Sequence, residues 1–376
     1  MDNITSFNII LSAPGVSHCS YEPLFGATAP SRLVMPIPFF KEILDYAVKR
    51  GCHLNLLAGE EPLDEYLTLA RESGVSCLLV VGPRHVLPGA TVVAGSKIEV
   101  EREHWFHSCP PDQERIPHLI VRFRPSQLDS LTEFLSQAVQ CAGRISLFMT
   151  DLSSFTGEDF IKYKEQLHRF SLLVATNALG VPSVECNILT DRLVLTNPNH
   201  CDSGVTHLTV APSGDMYLCP GFFYENPGDS LGRFPEWDII NSHLLSLAYA
   251  PLCAVCDAYQ CRRCVLLNRK TTGEYNVPPR EACVLAHLER NASAEIAAAD
   301  RFRGQFSPVI PVDYLDPFQI TPEGGGMGSD EFIEHVVQLL GAPLAHLDAF
   351  EILKLAYRVD PMIIHKIKNL RDDFHD

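Results

Sequence analysis

The sequence predicts an α/β protein: about six strand-helix units with parallel strands, followed by a cysteine-rich region and a small helical C-terminal region. Three observations lead there. Short apolar runs alternate with stretches of helical periodicity between residues 6 and 189. Gly and Pro sit at the boundaries between them. Seven of the thirteen cysteines are gathered between Cys201 and Cys283.

Residues 6–11 read as a buried strand that Ser-Ala-Pro-Gly ends, and a loop rich in Pro and Gly runs on to about residue 35. Pro36 opens a helix in which Ile37, Phe40, Ile43, Leu44, Ala47 and Val48 recur at helical spacing, and Gly51 closes it. A strand at 53–57, a helix at 62–73 and a strand at 76–81 complete a β-α-β-α-β series. The polar stretch 84–117 is less regular, with a short strand at 91–93. Alternation then resumes: strand 118–123, helix 126–141, strand 144–148, helix 157–179, strand 183–189. Six such units suit an incomplete parallel barrel as readily as an open sheet.

Past Asn197 the character changes. Two short strands at 207–210 and 216–218 flank Pro212-Ser213-Gly214-Asp215, which has the residues of a hairpin turn. A short helix is expected at 240–249 and a longer one at 279–301, with Cys283 in its first turn behind Pro278-Pro279. Residues 303–328 carry four prolines and Gly324-Gly325-Gly326 and read as a linker or packing arm, and short amphipathic helices fill 329–376.

A net charge of −16 argues against nucleic acid or an anionic membrane as the main partner, because either requires a basic face. No apolar run approaches the roughly 20 residues that span a bilayer, and the N-terminus lacks the marks of a signal peptide, so a cytoplasmic location is expected. In a reducing compartment clustered cysteines are ligands or reactive thiols rather than disulfides.

The cysteines run Cys201, Cys219, Cys253-Ala-Val-Cys256, Cys261-Arg-Arg-Cys264 and Cys283. A C-x-x-C turn lets two sulfurs face one centre, and seven thiolates exceed what one tetrahedral ion needs. Two structural zinc sites or two iron–sulfur clusters satisfy the count equally.

The spacing resembles a known arrangement. Cys201, twelve residues, Gly214, four residues and Cys219, then the paired cysteines and Cys283, resemble the SPASM domain that follows the barrel of radical SAM enzymes acting on ribosomally made peptides. Each central gap is one residue shorter than in that pattern. The resemblance implies that Cys253, Cys256, Cys261 and Cys283 hold one [4Fe–4S] cluster, with Cys201, Cys219 and Cys264 holding another. The position where the family often has a fourth ligand is Leu195, leaving an open iron for a substrate thiolate, or Cys186 or His200 as the substitute. Ala58-Gly59-Glu60-Glu61-Pro62 resembles the SAM-binding motif of a radical SAM core. The defining C-x-x-x-C-x-x-C is absent, and no three-cysteine set precedes Cys201, so SAM cleavage is not expected.

Gly15 to Glu22, the helix start at Val34-Met35-Pro36 and the run from Cys261 to Lys270 together look like the CXXX repeat peptide maturase family. That resemblance implies a degenerate radical-SAM-like partial barrel at 1–195, a SPASM-like domain at 196–302 and a linker with helices at 303–376. Its implied role is maturation of a cysteine-rich precursor peptide, bound or presented to a companion radical SAM enzyme by a protein carrying one or two [4Fe–4S] clusters. The alternatives are a zinc-stapled scaffold without redox role and a thiol-dependent peptide-modifying enzyme.

Other candidates have plainer readings. His104, His107 and Cys109 form a loop metal clip or ordinary loop residues, and His18-Cys19 a nucleophile pair at a strand end or ordinary loop residues. Cys52, Cys77 and Cys141 read as small buried hydrophobes. Arg262, Arg263, Arg269 and Lys270 form a basic group that would neutralise cluster thiolates, grip an acidic leader peptide or remain solvated.

Overall fold

A computed structural model of the chain describes residues 3–13, 15, 33–59, 63–82, 89–94, 115–181, 183–254, 256–306 and 309. Residues Met1–Pro311 make up one compact unit. Among the described residues no helix is long and apolar enough to cross a membrane.

Strand β1 (Ser6–Ile10) leads to a small antiparallel pair, β2 (Ser12–Ala13) with β3 (Leu33–Val34), and then to helix α1 (Ile37–Arg50). Pro36 sits ahead of α1 in extended backbone, and Gly51 ends it at φ 67, a left-handed conformation glycine adopts without strain. The buried side of α1 is Phe40, Ile43, Leu44 and Ala47. Strand β4 (His53–Leu57), helix α2 (Asp64–Ser73), β5 (Cys77–Val81) and β6 (Thr91–Ala94) follow.

Next come β7 (Ile116–Phe123), α3 (Leu131–Cys141), β8 (Ala142–Met149) and α4 (Gly157–Ala175). Thr156 and Asp159 form a reciprocal capping box at the start of α4. The first unit closes with β9 (Glu185–Cys186), α5 (Asp191–Val194), β10 (His207–Val210), β11 (Met216–Tyr217), α6 (Pro220–Glu225), the pair β12 (Gly232–Arg233) and β13 (Glu236–Trp237), α7 (Pro251–Ala254), α8 (Val265–Thr272) and α9 (Arg280–Ala298).

Nine strands form one sheet in the order β11-β10-β1-β4-β5-β6-β7-β8-β9. All neighbours are parallel except the β10–β11 hairpin. From β1 to β9 the spatial order follows the chain without reversal, which is the winding of a barrel-type sheet rather than of a doubly wound one. The hairpin adds to the same sheet on the free side of β1.

Register gives the sheet two unlike faces. One carries Phe7 and Ile9, Leu54 and Leu56, Val81, Val92, Leu119, Val121 and Phe123, Ile145, Leu147 and Met149, and Leu208 and Val210, all buried in the main apolar core. Right-handed crossovers put successive helices on one side of such a sheet, and the core combines this face with Phe40, Leu135 and Phe170 of the helices. The opposite face carries a polar set, Asn8, Asn55, Thr91, His118, Arg122, Arg144, Ser146 and Thr209, in register among the apolar Ile10, Leu57, Val80, Val93, Ile120 and Phe148. Asn8, Thr91, Arg122, Ser146 and Thr209 are nonetheless buried.

Several element limits differ from expectation for local reasons. Residues 183–189 contribute only Glu185–Cys186 to the sheet, because the Asn187 side chain turns to bond the Leu147 N–H (2.7 Å) and carbonyl (3.0 Å). The helix expected to reach 179 stops at Ala175, where turns take over up to Gly180 at φ 66. The stretch 240–249 is two 3-10 turns, Ser242–Leu245 and Leu247–Tyr249, and the segment expected to begin helical at 126 opens with a 3-10 turn, Pro125–Ser130. The tail helices at 329–376 and nearly all of 303–328 lie outside the described residues.

Candidate metal centre

The sequence places four cysteines on two structural devices. Cys253 lies within the short helix α7, Cys256 follows it, and Cys261 occupies the turn that leads to Cys264 and α8. Cys283 lies in the first turn of α9, entered through Pro278-Pro279. These four are neighbours. The Cys261 thiol is pushed well above the usual range by burial and by Cys283, Glu289, Cys253 and Cys256 around it. Burial also raises Cys253, with Arg263 opposing and Cys256 adding.

Cys256 is the best-defined corner. The Ala258 N–H points at its sulfur at 3.5 Å, and His287 Nε2 lies 3.7 Å from it. Burial raises the Cys256 thiol, against which the Ala258 N–H, Arg290 and Arg192 pull down. Asp257 binds Arg290 through Nε at 2.7 Å and Nη2 at 2.5 Å, and Arg192 approaches at 3.8 Å. Burial works against the Asp257 carboxylate, but those guanidiniums hold it below its ordinary range.

Beside Cys261 lies a cavity of about 30 Å³ between the ends of β8 and β9 and α9. Its polar lining is Asn187, Gln260, Cys261, Arg262 and Glu289. Burial pushes Glu289 up to about 7, against hydrogen bonds from Tyr163 and Gln260; the Tyr163 hydroxyl donates at 2.8 Å. Gln260 donates its amide to the Ala286 carbonyl at 2.6 Å, and its side-chain oxygen is buried without a partner.

The other three cysteines are brought into one neighbourhood by backbone ties. The Cys201 N–H bonds the Arg263 carbonyl at 3.3 Å, next to Cys264. Ser203 Oγ donates to the Leu218 carbonyl at 2.5 Å, next to Cys219. Cys264 caps α8, its sulfur accepting the Leu267 N–H at 3.5 Å, and Cys219 precedes α6. Cys219 and Cys264 are buried and Cys201 half-buried. Of the suggested substitutes, His200 is half-buried with Nδ1 enclosed and unpartnered, and burial and Arg263 lower its pKa. Cys186 is a core residue of β9 whose thiol burial pushes up to about 12.

The basic group does not form a free patch. Arg263 is buried and donates to the Leu245 and Tyr275 carbonyls. Arg269 pairs with Asp229 at 2.7 Å, and Lys270 pairs with Glu225. Arg262 lies over the Phe148 ring at 5.8 Å, on the polar face of the sheet. Cys52 and Cys141 are buried as expected, whereas Cys77 is exposed because it opens β5 at the strand's exposed end. His18, Cys19, His104, His107, Cys109 and Glu60 to Pro62 lie outside the described residues.

Among the described residues no three His, Cys, Asp or Glu side chains stand in the arrangement of a bound metal ion. The donor chemistry nevertheless fits a metal group. Thiols enclosed together raise one another's pKa, and a cation bound among them is what allows them to ionise. N–H groups aimed at Cys256 and Cys264 are the contacts a metal-bound thiolate accepts. Sequence reading alone missed His287, Glu289 and the Arg192–Asp257–Arg290 group. His287 had a visible signal, four residues after Cys283 on a helix.

No protein-family model and no curated protein matches the chain. Among solved structures, native anSMEcpe with bound AdoMet superposes with TM-score 0.53 and 13% identity, over 79% of this chain and 100% of that one. AnSMEcpe with bound AdoMet and the Cp18Cys peptide gives TM-score 0.49 and 13% identity over 79% and 99%. Streptococcus suis SuiB bound to S-adenosylmethionine gives 0.42 and 13% identity over 60% and 62%, so this chain spans just under two thirds of the SuiB chain. The likeness to native anSMEcpe shows a shared fold: a large, mostly parallel sheet with helices.

Proposed function

We propose that the chain takes part in the maturation of a ribosomally made, cysteine-rich peptide of CXXX repeat type. In this reading it is a cytoplasmic iron–sulfur protein that binds the precursor and presents it to a companion radical SAM enzyme, without cleaving SAM itself. The observation that carries the reading is the gathering of Cys253, Cys256, Cys261 and Cys283, with nitrogen donors directed at Cys256. Radical-SAM-like winding supports the context. The lack of any C-x-x-x-C-x-x-C in the sequence supports a non-cleaving role.

The residues divide the work. Cys253, Cys256, Cys261 and Cys283 would hold one [4Fe–4S] cluster, and Cys201, Cys219 and Cys264 a second whose remaining position is open. When bound, such a group supplies electron transfer and a place for a thiolate to coordinate. Arg192 and Arg290 offset thiolate charge at Cys256, and Asp257 keeps both guanidiniums turned to that corner. The polar sheet face would receive the peptide, with Arg262 over Phe148 at its border. The organisation into a partial barrel at 1–195, a SPASM-like domain at 196–302 and a C-terminal region at 303–376 belongs to the same proposal.

Anaerobic reconstitution with iron and sulfide tests it. The expected result is a broad absorption near about 400 nm that Cys256→Ser weakens. A featureless spectrum with stoichiometric zinc would show a zinc-stapled scaffold instead.

A further inference from the structure

Helix α9 carries Cys283 and His287 four residues apart, so both side chains leave the same face of the helix. His287 Nε2 meets Cys256 Sγ at 3.7 Å. The Ala258 N–H reaches the same sulfur at 3.5 Å. In the proposed reading Cys253, Cys256, Cys261 and Cys283 supply all four ligands, so the imidazole addresses a ligand atom rather than an empty position.

We infer that His287 is a positioning residue: its Nε2–H donates to the Cys256 thiolate and fixes how firmly the four-cysteine site holds its metal group and at what potential. The inference rests on the reading that Cys253, Cys256, Cys261 and Cys283 bind a metal group. A donor at a ligating sulfur withdraws charge from it, which favours the reduced, more negative state of a cluster. It also holds the sulfur in place, and partners of this kind are worth about 10–100-fold in metal retention. Because the donor comes from α9, it ties that helix to the Cys253–Cys256 turn through a second contact besides Cys283.

The test uses the full chain as purified or anaerobically reconstituted, with His287→Phe, His287→Gln and the control His168→Gln, whose site pairs with Glu295 on the exposed side of α4. Phe keeps bulk and removes the donor, while Gln keeps an N–H at similar reach. Loss of metal to bipyridyl or EDTA should be about 10–100-fold faster in His287→Phe and close to wild type in His287→Gln and the control. In a cluster-bearing protein the midpoint potential should fall in His287→Phe and return toward wild type in His287→Gln. Unchanged retention and potential in His287→Phe, with native far-UV circular dichroism, would overturn the inference. If the chain holds zinc and no cluster, the cluster reading falls and the retention series alone decides on His287. If it holds neither metal, both fall.

Discussion

On the polar part of the sheet face, His53, Asn55, Asn8 and Thr209 satisfy one another in a chain. His53 donates from Nε2 to Asn55 Oδ1 at 3.2 Å, Asn55 donates to Asn8 at 3.0 Å, and Asn8 donates to Thr209 at 3.4 Å. Buried amides without such partners would cost about 1–3 kcal/mol each. His118 is a titratable member of this face, with Nε2 at 2.9 Å from Ser146 Oγ. Burial, then Arg144 and Arg262, lower its pKa to about 4, with Asp191 opposing. The folded protein therefore refuses a proton that the unfolded chain accepts between pH 6.5 and about 4. Its contribution to stability is complete above pH 6.5 and is lost as pH falls through that window. Between pH 7 and pH 5 the loss should be about 2 kcal/mol, since each unit is worth about 1.4 kcal/mol. Urea denaturation of wild type and His118→Gln at both pH values measures it: Gln keeps the bond to Ser146 and does not titrate. Equal losses in the two proteins would show that His118 is not held neutral.

At the scale of elements, most of the sheet was legible because apolar runs and helical periodicity are local signals. Strand 53–57 and the ends of α1 at Pro36 and Gly51 lie where the sequence puts them. What local signals missed was decided by distant partners: Asn187 leaves the strand to bond Leu147, and Arg263 leaves the basic group to bond Leu245 and Tyr275. The cysteines of the candidate site stand out in the sequence, because C-x-x-C spacing is a local signal. Glu289 was not, because its meaning comes from Tyr163 of α4 across the packed α4–α9 pair. Two glycines separate local from tertiary demands in the same way. Gly51 (φ 67) faces open space, so Gly51→Ala should cost about 1 kcal/mol of backbone strain. Gly204 (φ 77) sits in the turn between Cys201 and β10, where an added Cβ meets the side chains of Leu245 and Leu218. Gly204→Ala should therefore cost about 2–4 kcal/mol, strain plus overpacking. Chemical denaturation of both variants checks the order, and equal costs would remove the tertiary share assigned to Gly204.

Across the described molecule, the parallel sheet and the cysteine-bearing turns have different sources of stability. None of the seven cysteines from Cys201 to Cys283 lies on a strand of the nine-stranded sheet, whose apolar face is closed by the core around Ile9, Leu56, Val121 and Leu147. That burial is a property of the chain alone. The turns at Cys253–Cys264 are short and half-exposed, with α7 only four residues long, and four thiols enclosed together oppose one another's ionisation unless a cation joins them. Metal removal should therefore act regionally. In hydrogen exchange followed by mass spectrometry, chelator-treated protein should lose protection in peptides covering 250–290 by about 10-fold or more, as expected when local opening becomes easier by at least about 1.4 kcal/mol. Peptides covering β1, β4, β7 and β8 should keep theirs, because their amides are paired within the sheet and their side chains sit in the apolar core. The hairpin β10–β11 is the informative boundary. It is hydrogen-bonded to β1 on one side, yet it carries Cys201 and Cys219 at its two ends. If it stays protected, the sheet holds it and the three-cysteine group is supported by the fold. If it opens together with 250–290, the cysteine-bearing turns hold it, and the functional boundary falls before residue 207 despite the continuous sheet. Loss of protection throughout β1, β4, β7 and β8 would contradict the division altogether, making the metal group a requirement for the whole fold.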